Sequence, residues 1–195
     1  MKKDIILAGV GGQGILSIAA TIGMAAVDMG LHLKQAEVHG MSQRGGDVQS
    51  NLRLSDREIY SDLISQGQAD MILSVEPMES LRYIPMLAEG GWLITNTEPF
   101  INITNYPELE KVMAEVKKQP RHIAINADQI AKDLGNPKSA NMVMLGAASP
   151  FLDMPFEKLE KAVRFIFRSK GEEVIEGNIE ALKAGRAFSE EHKGL

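Results

Sequence analysis

The chain has 195 residues, 44% of them hydrophobic, which suits one compact domain, and 24% charged residues with 18 Gly and 8 Pro exclude a disordered tail or a fibrous repeat. A net charge of -5 with a pI near 5.4 argues against nucleic acid as the main partner, because phosphate binding needs a basic footprint. Cys is absent, which excludes disulfides, a thiol nucleophile, and any iron–sulfur cluster or zinc held by thiolates of this chain.

Met1-Lys2-Lys3-Asp4 leads into Ile5-Ile6-Leu7-Ala8 with no signal-peptide cleavage pattern. That apolar run ends in a glycine cluster and reads as a buried parallel strand. Ile15 to Val27 follows as a helix, apolar on nearly every face. Such a helix belongs between the sheet and a further layer or another subunit. Thr21, Gly23 and Asp28 interrupt it, so no membrane span is expected, and a cytoplasmic location is. Gly30 closes the helix.

Leu31 to Val38 reads as a second strand. Val48 to Leu54 alternates apolar and polar residues, as a half-exposed strand does. Met71 to Val75 is a buried strand, and Met78 to Leu87 a helix interrupted by Pro85. Gly90-Gly91 predicts a turn into a strand at Trp92 to Thr95. Tyr106 to Lys118 predicts a helix, capped by Asn105 with Pro107 in its first turn. His122 to Ile125 is a short strand, and Asp128 caps a helix ending at Gly135. Asn141 to Ala148 is a small-residue helix. Asp153 caps another, with Pro155 in its first turn, running to about Ser169. Glu172 to Phe188 is the last helix.

Strands alternating with helices predict an α/β fold: a Rossmann-like, mostly parallel sheet flanked by helices, with a helical C-terminal part. Residues 1–188 read as a single domain and residues 189–195 as a frayed polar tail. The amphipathic set Leu159, Val163, Ile166 and Phe167 fits either a helical subdomain or a subunit contact.

Two loops carry chemistry. Gly9-Val10-Gly11-Gly12-Gln13-Gly14 matches G-x-G-x-x-G between a predicted strand and a predicted helix. Glycines permit close backbone approach, and a helix start offers unpaired N–H groups to an anion. Gln13 would set an amide beside that anion hole. The pattern suits a nucleotide or phosphate site, with Glu37 placed roughly as a ribose-binding acid; it equally suits a tight turn, close helix–strand packing or contact with a partner chain. The second loop, His39-Gly40-Met41-Ser42-Gln43-Arg44-Gly45-Gly46, is expected beside the first at the carboxyl ends of the strands. Arg44, ahead of Gly45-Gly46, can clamp a phosphate or carboxylate with its planar fork, and His39 can carry a proton. Pairing of Arg44 with Glu37 or Asp47 is the plainer alternative. Glu76-Pro77 and Asn96-Thr97 follow later strands and read chiefly as helix or turn starters. Ser42 lacks a nucleophile-elbow pattern and the four His residues lack ligand spacing, so neither catalytic nor metal-binding residues are assigned.

Taken together, the two loops resemble the gamma-type subunit of the 2-oxoacid:ferredoxin oxidoreductases. The wording His39-Gly40-Met41-Ser42-Gln43-Arg44-Gly45-Gly46 favours the indolepyruvate branch over the pyruvate and 2-oxoglutarate branches. Asp70 to Leu73, Glu76 to Glu79 with Leu81-Arg82, Gly91 to Asn96, and Asn141 with Leu145 to Ala147 extend the resemblance from about Asp4 to Phe188. It implies a subunit contributing to coenzyme A-dependent oxidative decarboxylation of aryl pyruvates, with ferredoxin as electron acceptor. Thiamine diphosphate, Mg and 4Fe-4S clusters then belong to a large alpha subunit, and this chain alone is not a catalyst. The Cys-free sequence fits that division, as does Gly46-Asp47-Val48 where a thiamine-binding Gly-Asp-Gly would stand. On this reading Gly9, Gly11, Gly12 and Gly14 shape the first loop. His39, Ser42, Gln43 and Arg44 contact a partner loop, an anionic cofactor portion or substrate. The rival readings are a stand-alone NAD- or FAD-binding oxidoreductase, a subunit for another 2-oxoacid, and a binding or regulatory protein.

Overall fold

The structure, a computed structural model, describes residues 1–40, 45–101 and 103–193. Among these, six strands form one sheet in the order β2-β3-β1-β4-β5-β6. They are β1 (Lys2–Val10), β2 (His32–His39), β3 (Asp47–Ser55), β4 (Ala69–Ser74), β5 (Leu87–Asn96) and β6 (His122–Ile125). β1, β4, β5 and β6 run parallel, and β3 runs antiparallel to both of its neighbours. The sheet is therefore mixed through one reversed strand. β2 and β3 form a hairpin, closed where Gly40 N–H donates to Asp47 C=O at 3.1 Å, and so short a link permits only antiparallel pairing. β3 is also more buried than its alternation predicts, because it lies between two strands rather than at an edge.

The helices are α1 (Ile15–Asp28), α2 (Pro77–Arg82), α3 (Leu109–Lys117), α4 (Ala127–Asp133), α5 (Ala140–Ala148), α6 (Phe156–Phe167) and α7 (Glu172–His192). Alternate residues of β1 feed two cores. Ile5 and Leu7 join Met71, Leu73 and Ile94 under α1, α5, α6 and α7. Ile6 and Ala8 join Ile72, Leu93, Ile64 and Val116 on the face of α2 and α3. The layer that covers α1 is supplied by α5 and α6 of the same chain. Ile15, Ile18 and Ile22 of α1 are at most 5% exposed, and burying such side chains is worth about 1.5–3 kcal/mol each. The C-terminal helices α5, α6 and α7 thus share one core with α1 and the sheet.

Several boundaries differ from the sequence reading. Gly90 and Gly91 lie within β5, where they absorb a register shift against β4, rather than turning the chain. α3 starts at Leu109, after Glu108, not at Tyr106; Tyr106 is engaged elsewhere. α4 is capped by Asn126, whose side chain accepts from Gln129 N–H at 2.9 Å, and not by Asp128. α6 starts after Pro155, while Asp153 pairs with Lys3. α7 continues past Phe188 to His192 because Ser189, fully buried, donates its hydroxyl to Ala147 C=O at 2.7 Å. No described helix is long and apolar enough to cross a membrane.

Candidate functional site at the carboxyl edge of the sheet

β1 ends at Val10 and the chain turns through the first glycine loop into α1. Gly14 caps α1 with left-handed backbone (φ 81°), and a Cβ there would strike the Asn141 side chain, so glycine is required twice over. Asn141 closes the contact by donating from Nδ2 to Gly14 C=O at 3.3 Å. Among the described residues no side chain caps α1, and its first turn holds no acid.

Gln13 braces the loop. Its Oε1 accepts from Val10 N–H at 2.7 Å, and its Nε2 donates to Val75 C=O at 3.3 Å, at the end of β4. The amide expected beside an anion hole is therefore spent on two backbone groups. Gly9 packs directly against Val75 and Gln13, leaving no room for a side chain.

The two glycine loops meet: Gly11 N–H donates to Gly46 C=O at 2.9 Å. The second loop is the β2–β3 hairpin loop, set at the same sheet edge as the first. Met41, Ser42, Gln43 and Arg44 lie outside the described residues, as does the side chain of His39, whose backbone ends β2. Gly45 takes a left-handed φ of 77°.

Two clefts flank the first loop. One of about 310 Å³ lies on the hairpin side, between Val10, Gly11, Gly12, Gly14, Leu16 and Glu37. Glu37 thus shares a cleft with the glycine loop, but its strand is not the parallel neighbour of β1. The antiparallel β3 fills that place, so the strand pairing of a dinucleotide site, with a parallel strand delivering the ribose-binding acid, is not reproduced. The other cleft, also about 310 Å³, runs from Gly12-Gln13-Gly14 past Asn96 and Asp128 to Lys138 and Asn141. Asn96 organises its floor, donating from Nδ2 to Asp128 Oδ2 at 2.7 Å and to Val75 C=O at 3.3 Å, and accepting from Ala127 N–H at 3.1 Å. Sequence reasoning missed Lys138, which no local pattern marks; only the packing of α5 beside the loop brings it there.

Glu76 is the second organiser of this edge. It is 1% exposed, caps α2 by accepting from Glu79 N–H at 2.7 Å, and also accepts from the Tyr106 hydroxyl and from Phe100 N–H at 3.4 Å. Burial pushes its carboxyl above the ordinary range, against the opposing pull of these three donors. Its reading as a helix starter holds, and the long-range Tyr106 contact explains why that residue does not begin α3. Among the described residues no three His, Asp or Glu side chains gather as metal ligands.

The sequence matches the family described as pyruvate ferredoxin/flavodoxin oxidoreductase over residues 4–188. It is 38% identical to the indolepyruvate oxidoreductase subunit IorB of Archaeoglobus fulgidus, across 95% of this chain and 94% of that one. It is 28% identical to the ketoisovalerate oxidoreductase subunit VorA of Methanothermobacter marburgensis, across 92% of this chain but 35% of that longer one. The fold is similar to the gamma subunit of a keto/oxoacid ferredoxin oxidoreductase from Geobacter sulfurreducens, with a TM-score of 0.69 and 27% identity across 97% of this chain and 99% of that one.

Proposed function

The chain belongs to the pyruvate ferredoxin/flavodoxin oxidoreductase family, and from that premise we propose that it is the beta subunit of an indolepyruvate ferredoxin oxidoreductase. The observation that carries this reading is the near full-length likeness to an indolepyruvate oxidoreductase subunit, together with the direct Gly11–Gly46 contact that joins the two diagnostic loops. The complex converts an aryl pyruvate such as indolepyruvate, with coenzyme A, to the arylacetyl-CoA thioester and carbon dioxide. Two electrons leave to ferredoxin.

The cofactors belong to the large alpha subunit on this reading. A cluster needs thiolates, and this chain has no Cys. Asp47 opens strand β3 and is followed by Val48 rather than Gly, so the diphosphate–Mg²⁺ pattern is not completed. Thiamine diphosphate, Mg and 4Fe-4S clusters are therefore assigned to the partner. The beta chain contributes shape and charge: a braced glycine corner from Gly9 to Gly14, with contact to the partner or to coenzyme A as the role proposed for His39, Ser42, Gln43 and Arg44. It is inactive alone and works in the cytoplasm.

Co-purification tests the proposal. The tagged chain is expressed with the large subunit of the same organism. The expected product is a brown, thiamine-containing complex that oxidises indolepyruvate only when both chains and coenzyme A are present. Indolepyruvate turnover by the large subunit alone at the rate of the pair would overturn it. Faster turnover of pyruvate or 2-oxoglutarate would move the assignment to a sister enzyme.

A further inference from the structure

Exposed apolar side chains are spread along the sheet edge that carries the glycine corner. Leu16, in the first turn of α1, is 60% exposed, and Val38, near the end of β2, is 53% exposed. After the end of β5, Ile101 is 69% exposed, with Phe100 and Ile103 near 40%. All five lie at the carboxyl edge of the sheet, on the two sides of the first loop. Single exposed hydrophobic residues are ordinary, whereas several around one polar loop mark a contact surface.

After β5, Phe100 and Tyr106 are held at this edge by a buried group. Glu76 accepts from Phe100 N–H, next to Ile101, and from the Tyr106 hydroxyl, so one carboxylate holds both residues. Backbone held before binding loses less entropy on binding, which suits a docking element.

We infer that this edge is the face the large partner subunit covers, with Leu16, Val38, Phe100, Ile101 and Ile103 as apolar anchors on either side of the first glycine loop. The inference rests on the subunit reading above. Two observations select the occupant. In the ketoisovalerate relative the matching stretch is 35% of a longer polypeptide, so there this sequence is joined to further protein. Leu16 also lines one cleft with Gly11, Gly12 and Gly14 of the Gly11–Gly46 corner, whose sequence carries the family resemblance. Apolar anchors around a polar centre, spread over three separate elements, fit a protein surface better than a small-molecule pocket.

Titration calorimetry tests the assignment, with the purified chain added to the purified thiamine-bearing large subunit of the same organism. Ile101→Glu and Leu16→Glu are each expected to weaken association about tenfold or more. Val27→Glu and Phe165→Glu, on exposed apolar residues away from this edge, serve as controls and are expected to bind as the unaltered chain does. Thermal melting confirms folding of all four, and Val38→Glu replaces Leu16→Glu if the α1 variant melts early. Edge variants that bind normally, or controls that weaken binding equally, would overturn the assignment and leave the subunit reading standing. An unaltered chain that fails to bind overturns the subunit reading and this inference with it.

Discussion

Gly146 and Gly185 sit back to back where α5 crosses α7. A Cβ on Gly146 would collide with the carbonyl oxygen of Leu182, and one on Gly185 with that of Val143. The two helix backbones approach as closely as atoms allow, and α5 is thereby held against the sheet with Asn141 at its start in contact with Gly14.

Either glycine is therefore intolerant of a methyl group. Gly146→Ala and Gly185→Ala are each expected to cost about 3 kcal/mol, because the obstacle is backbone that cannot rotate away. Urea denaturation checks this. Gly30→Ala, where a Cβ meets no atom within 4 Å, separates crowding from backbone conformation at a position with φ 73°.

Asp4 is 1% exposed and takes two hydrogen bonds from Arg53, at 2.8 and 3.1 Å, with Lys2 alongside. Burial alone would raise its carboxyl, but Arg53 and Lys2 outweigh that and hold it below the ordinary 3.8. A group whose folded value is depressed stabilises above its unfolded value and loses that contribution as pH falls through the folded one. Stability is thus expected to drop below about pH 4, and Asp4→Asn should flatten that acid limb while costing about 3 kcal/mol near neutrality. Equilibrium unfolding between about pH 2 and pH 7 measures both.

Gln13→Ala removes the brace between Val10 and Val75 and leaves two backbone groups to find water. The expected loss is about 1–2 kcal/mol in thermal or chemical unfolding. Gln13→Glu keeps the acceptor toward Val10 N–H but presents an oxygen to Val75 C=O, and is expected to cost at least as much. A loss in the Ala variant alone would mean that packing, not hydrogen bonding, is what Gln13 supplies.

Removal of residues 189–195 takes away the Ser189 hydrogen bond to Ala147 and the stacking of His192 on Phe188. The shortened chain is expected to melt earlier, by about 1–2 kcal/mol of stability. An unchanged melting curve would show that the last turn of α7 adds nothing.

Arg44→Ala and His39→Ala address the second loop. Both are expected to lower turnover of the assembled enzyme while leaving the melting temperature of the isolated chain unchanged. Normal assembly and normal turnover in both variants would remove the functional case for these side chains.

Local pattern was enough for much of this protein. Short apolar runs marked β1 and β4, a helix apolar on nearly every face marked α1, and two glycine loops in order and spacing pointed to the family, because each is written in neighbouring residues. What depended on distant residues was decided only by folding. The insertion of β3 between β1 and β2 arises from hairpin closure and cross-strand pairing, and it separates Glu37's strand from β1. Tyr106 leaves its predicted helix for Glu76, 30 residues away, and Ser189 extends α7 by bonding to Ala147, 42 residues away. A buried polar group must find its partner wherever the chain brings one within reach, and sequence order does not carry that distance.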